Sequence, residues 1–160
     1  MARQTREHKH EKRIVRTLIF LTVLYGCETW TMTQKMEKKI NACEMWIWRK
    51  IKKVSWTEKT IESVRMEIGI EEETLQQTAL RRKLRFFGHV MRSAGLEKGM
   101  MLEHGDGWRR RGRPRRKWMN EIHDVTGMKL DELRDVTTAR KTWRRLVKTV
   151  TRTQRVDSTR

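Results

Sequence analysis

A single proline, Pro114, stands in 160 residues, and nine glycines leave long stretches in which nothing breaks a helix. Within those stretches apolar residues recur at helical period. From Thr33, a suitable N-cap, the residues Met36, Ile40, Cys43, Ile47, Ile51 and Val54 follow one another three or four apart, along one side of an amphipathic helix. A short helix is expected from Thr60 to Gly69, with Ile61, Val64 and Ile68 inward and the glycine as its stop. Glu71, Glu72 and Glu73 suit the positive end of the next, which runs to about Arg92 and sets Leu80, Leu84, Phe87 and Met91 on one face. Trp118 to Thr126 predicts another, closed by Gly127. Thr138 to Thr151 predicts the last, with Trp143, Leu146, Val147 and Val150 inward. Residues 14–25 are almost wholly apolar. Ile14, Leu18, Leu21 and Tyr25 have helical spacing there, while the β-branched content keeps a strand open, so burial is the firmer expectation. The expected class is all-α: about five to six helices in two small lobes joined by a basic Gly/Arg-rich linker. The boundaries fall at 1–94, 95–117 (five of the nine glycines and the proline), 118–153, and a disordered tail at 154–160.

Leu, Ile, Val and Phe make up only about a fifth of the chain, near the composition at which packing fails. Ten Met and seven Trp supply the missing volume, and Trp30, Trp48, Trp118 and Trp143 read as packing anchors. The charge is +18, and it is uneven: residues 1–80 carry +4 and residues 81–160 carry +14. Self-repulsion of that size calls for an anionic partner, nucleic acid first and an acidic membrane surface second. No membrane span is expected, because the apolar stretch Leu18 to Tyr25 is far shorter than the ~20 residues a spanning helix needs. A secretory signal is not expected either, since Gly26, Cys27 and Glu28 follow that stretch without a small-residue cleavage site. Cys27 and Cys43, outside any CxxC pair, suit a reduced nuclear or cytoplasmic protein.

The densest signal is the run Arg109, Arg110, Arg111, Gly112, Arg113, Pro114, Arg115, Arg116, Lys117, with seven cations, no acid and no way into a core. Such a run serves as a solvated loop, as a nuclear-import signal, or as a binder of phosphates that displaces counterions. Within it, Arg111-Gly112-Arg113-Pro114 resembles the core of an AT-hook, in which an extended backbone enters the narrow minor groove of A·T-rich DNA. Glycine clears the groove floor, proline keeps the chain extended and arginine meets the negative potential. Trp108, beside two glycines and this run, is a candidate stacking residue; Trp46, among Lys39, Lys50 and Lys53, either stacks on a base or caps the core. Arg81, Arg85, His89 and Arg92 form a second basic stripe, opposite the apolar face of their helix.

Catalytic patterns are poor. Gly105 and Gly107 open a GxG without a third glycine, and GxxxxGK, HExxH and GxSxG are absent. Cys27, Cys43, His89 and His104 have none of the short spacings of structural zinc sites, and Asp131 and Asp135, one turn apart, read as acids serving a helix dipole. No catalytic residue, metal or cofactor is expected, nor a small-molecule substrate.

Four ordered motifs carry a resemblance: Leu24-Tyr25-Gly26-Cys27-Glu28-Thr29-Trp30, Arg85-Phe86-Phe87-Gly88-His89-Val90, Arg111-Gly112-Arg113-Pro114 with Trp118, and Trp143-Arg144-Arg145-Leu146-Val147. Over roughly residues 14–150 the chain resembles the C-terminal region of a non-LTR (LINE-like) retrotransposon endonuclease/reverse transcriptase. The resemblance implies a thumb-like helical region and a basic extension beyond the polymerase palm, contacting template RNA or target DNA. The palm's metal-binding aspartate pair and the endonuclease have no counterpart here, so the chain alone is expected to be non-catalytic. It reads as a fragment of a longer reading frame or a truncated element copy, with upstream reverse-transcriptase domains as partners. Where the family has Asp-Arg before the last tryptophan this chain has Ala139-Arg140, which predicts a poorly capped last helix. The rival expectation is an interaction protein that lays basic amphipathic helices, residues 74–92 and 138–151, on a protein partner or an anionic membrane.

Overall fold

The computed structural model describes residues 10–55, 57, 60, 63, 64, 66, 73–102 and 116–157; among them the chain is helical and no strand occurs. Seven α-helical segments are present among the described residues, one more than the upper expectation: α1 (Leu21–Val23), α2 (Gln34–Lys52), α3 (Leu75–Arg92), α4 (Leu96–Leu102), α5 (Trp118–Thr126), α6 (Leu130–Thr138) and α7 (Arg140–Asp157). No helix among the described residues is long and apolar enough to cross a membrane. The chain forms two compact units, one of Met1–Cys27 with Gln34–Ala79, the other of Glu28–Thr33 with Leu80–Arg160.

In the first unit, residues 10–23 are helical, which removes the strand alternative. The predicted inward face is corrected. Ile14, Leu18, Leu21 and Tyr25 are exposed, Tyr25 at 88%, whereas Val15, Phe20, Leu24 and Cys27 are buried. The cause is the winding of Val15–Phe20 as a π-helix. Its wider turn brings residues five apart onto one side, so Val15 lines up with Phe20, and the return to ordinary winding adds Leu24. Phe20 meets Trp48 of α2 edge to face, with centroids 5.9 Å apart. α2 begins directly after Thr33 as its periodicity predicts, and buries Ile40, Met45, Ile47 and Trp48. It stops short of Val54. Lys53 adopts φ 53°, its N–H bonds the Lys50 carbonyl and the Val54 N–H bonds the Arg49 carbonyl, a Schellman stop built without glycine. Of the helix expected from Thr60, Ser63, Val64 and Met66 are helical, with the Thr60 hydroxyl accepting the Ser63 N–H and Val64 buried; Ile61, Ile68 and Gly69 lie outside the described residues.

α3 starts later than predicted. Glu73 is not helical, and the N-terminus is a capping box in which Thr74 Oγ1 accepts the Gln77 N–H while Gln77 Oε1 accepts the Thr74 N–H. The buried Glu44 carboxylate satisfies the first amide of the helix, at Leu75.

The second unit is built on the predicted α3 face. Leu80, Leu84, Phe87 and Met91 join Ile122, Leu133, Trp143 and Val147 in one core. Each such Leu, Ile or Phe side chain contributes ~1.5–3 kcal/mol by leaving water. The residues predicted as linker are in part helical: Leu96–Leu102 forms α4, with Glu97 in its first turn and Gly99 facing open space, so that glycine reduces helix propensity without ending the helix. α5 and its stop follow the prediction, Gly127 taking φ 66° and bonding the His123 carbonyl. α6 is additional, and the Glu132 carboxylate at its start accepts the Lys129 N–H. α7 begins after Ala139, which brings no capping side chain, and runs on to Asp157, four residues into the predicted tail. Thr151 and Thr153 spend their hydroxyls on carbonyls one turn back, at Val147 and Thr149.

Candidate functional site

Arg109, Arg110, Arg111, Gly112, Arg113, Pro114 and Arg115, with Trp108, lie outside the described residues. The last two members of the run are described. Arg116 donates from Nη2 to Asp124 Oδ2 at 2.7 Å in an exposed pair, and Lys117 is exposed directly before α5. Such a surface pair contributes at most ~1 kcal/mol, so it yields readily to a competing anion.

The second stripe is on α3, where Arg85, His89 and Arg92 are exposed and Arg81 half-buried. Arg92 donates from Nη1 to the Thr137 carbonyl at the end of α6 (3.0 Å). Its guanidinium is pulled below the ordinary arginine value, first by the partial loss of solvation that remains even at this exposed position and then by the positive charges of Arg140 and Arg144. Cations of α3 and α7 therefore repel one another. Arg140, Lys141, Arg144, Arg145 and Lys148 are all exposed along α7, and none pairs with a carboxylate among the described residues.

Two neighbouring concavities open beside Phe86 of α3. A cavity of about 630 Å³ is lined by Phe86, Met100, Met101, Trp118, Asn120 and His123, among others, with Glu97 and Lys117 also at its wall. A shallower groove of about 540 Å³ is lined by Glu28, Thr29, Arg82, Arg85, Phe86 and His89. Phe86 and Thr29 are walls of both. Phe86 meets Trp118 edge to face at 6.3 Å.

Trp118 is held in place from behind. Its Nε1 donates to the Glu28 carbonyl at 2.8 Å, and the Lys83 ammonium lies over the ring 4.7 Å from the centroid. Lys83 is almost wholly buried, donates to the Trp30 carbonyl at 3.0 Å and forms an ion pair with Glu121. Burial lowers its pKa from the usual 10.5, with Glu121 opposing the shift. Sequence reasoning missed this group, although Lys83 stands three residues after Leu80 and four before Phe87, on the apolar stripe. That position was the signal available.

Of the predicted anchors, Trp48 and Trp143 are buried and Trp30 and Trp118 half-buried. Trp143 donates from Nε1 to the Leu84 carbonyl (3.0 Å), the indole occupying the space that Gly88 leaves by having no side chain. Trp46 is 56% exposed and borders a groove with Arg49, Lys50 and Lys53 in the first unit. Neither Cys27 nor Cys43 forms a disulfide, and no group of three metal-binding side chains occurs among the described residues. No protein-family model, curated protein or solved structure matches the chain.

Proposed function

We propose that the chain is a non-catalytic, nucleic-acid-binding segment, the C-terminal region of a LINE-like reverse transcriptase, holding RNA or DNA through the basic segment 95–117 and through the basic faces of α3 and α7. The observation that carries the reading is the row of exposed cations on α7, with Arg140 and Arg144 repelling Arg92 of α3 and no carboxylate paired with any of these three among the described residues. Mutual repulsion costs the folded chain stability, and a phosphate set among the three guanidinium groups reverses the sign of that term. The net +14 of residues 81–160 and the run from Arg109 to Lys117 extend the same attraction over several phosphates. Nuclear or cytoplasmic work beside upstream polymerase domains follows from the same reading.

The test is an anisotropy titration of labelled duplex DNA against salt. If the basic run neutralises about five phosphates, the logarithmic slope is about −4.5, roughly a 500-fold loss of affinity between 50 and 200 mM salt. Replacing the cations of residues 109–117 by glutamine reduces that slope, and Arg140→Gln with Arg144→Gln reduces it further. A flat salt response refutes the reading. So does sedimentation with anionic liposomes that survives saturating DNA, which is the result the rival, a membrane- or protein-docking helix pair, requires.

A further inference from the structure

We propose that the cavity beside Phe86 is a binding site for one unpaired nucleobase of a single strand, with the adjoining phosphate seated on Arg85 and His89. The inference rests on the nucleic-acid reading and adds to it the place and the chemistry of base capture. A nucleotide is half apolar plane and half anion, and the two concavities that share Phe86 divide in the same way. On one side Phe86, Met100, Met101 and Trp118 offer aromatic and thioether surface, which accepts the π-face of any base. Asn120 and His123 stand in the same wall as edge-reading groups. The His123 Nδ1 lies 2.7 Å from the Met128 carbonyl, which only accepts, so Nδ1 carries a proton and Nε2 is the ring nitrogen left to meet a base edge. Glu97 at the rim is an acceptor for an exocyclic amine.

In the adjoining groove, Arg85 and His89 are exposed and one helical turn apart, spaced to meet a backbone phosphate. Glu28 is the one acid of that groove, against Arg82, Arg85 and His89. The platform is rigid before any ligand arrives, because Trp118 is fixed by the Glu28 carbonyl and by the Lys83 ammonium on its ring. Pre-organised aromatic surface of this kind loses little entropy on binding.

The experiment uses the full chain and two fluorescein-labelled 12-nucleotide single strands of equal charge, one bearing bases and one wholly abasic. The expected result is about tenfold tighter binding of the base-bearing strand, equivalent to roughly 1.4 kcal/mol. Phe86→Ala reduces its affinity to that of the abasic strand and leaves the abasic affinity unchanged; Met100→Asp, whose added charge weakens both strands, abolishes the difference between them. Met100 is 77% exposed, so its substitution does not threaten the fold. Arg85→Gln weakens both strands alike and lowers the salt slope by about 0.7. Equal binding of the two strands by the unmodified chain overturns the base site and leaves polyanion binding standing; failure of both strands to bind overturns the nucleic-acid reading itself. A change in sedimentation on Met100→Asp, with the difference between the two strands retained, assigns the cavity to a second copy of the chain and also overturns the proposal.

Discussion

Replacing Gly88 by alanine isolates one contact on which the second unit depends. In a solvent-facing helix the change is favourable, by ~1 kcal/mol of helix propensity. At Gly88 a Cβ would stand 2.5 Å from Trp143 Cδ1 and 2.9 Å from Cε2, where carbon atoms in good contact are ~3.5–4.0 Å apart. The indole must therefore move by about an ångström, away from Phe87, whose ring centroid is 5.7 Å from its own, and from the Leu84 carbonyl. Overpacking of this kind costs ~1–3 kcal/mol, and a buried indole N–H left without an acceptor costs a further ~1–3 kcal/mol. After the propensity gain is subtracted, the net loss is about 3 kcal/mol. The assay is urea unfolding followed by tryptophan fluorescence and far-UV circular dichroism, with Gly99→Ala as the control, since nothing lies within 4 Å of a Cβ there. The decisive comparison is the sign in a second background. With Trp143→Leu the indole is gone, and Gly88→Ala then stabilises that variant by about 1 kcal/mol through propensity alone. The same sign in both backgrounds would refute the steric argument.

Two further substitutions test the surroundings of the site. Glu121→Gln leaves the buried Lys83 ammonium beside a neutral amide and costs ~3–5 kcal/mol, whereas Lys83→Met combined with Glu121→Leu recovers most of that loss in the same urea titration. Because burial holds the Lys83 pKa below 10.5 in the folded chain, the folded state gives up that proton before the unfolded state does. Stability from this group accordingly rises with pH from the lowered value to 10.5 and is lost as pH falls back through that window, a slope that Lys83→Met removes. Lys53→Gly relieves the left-handed backbone at the end of α2 and raises stability by ~1 kcal/mol, read as a shift of the unfolding midpoint; an unchanged or lowered midpoint would show that Lys53 carries no strain.

Local pattern was sufficient for much of the architecture. The spacing from Met36 to Ile51 announced α2, the residues Leu80, Leu84, Phe87 and Met91 marked the inner face of α3, and Gly127 announced the end of α5, because each depends on neighbours within one or two helical turns. The exposed basic residues Arg85, His89 and Arg92 were legible for the same reason. Three features were not. A π-turn over Val15–Phe20 reversed which side of the first helix is inward, and nothing in an apolar run with several equivalent faces states how tightly it will wind. Lys83 stands on the apolar stripe, but its burial is tolerated because Glu121, 38 positions away, and the Trp30 carbonyl reach its ammonium, partners that the stripe does not name. Gly88 read as part of a motif, but its reason is the Trp143 ring. The cavity beside Phe86 is likewise assembled from α3, α4 and α5, so its existence was decided by how those helices meet. Sequence determined the helices and the sign of their outer charge, since both are short-range properties; tertiary contact decided burial and concavity, since both require groups distant in the chain to displace the same water.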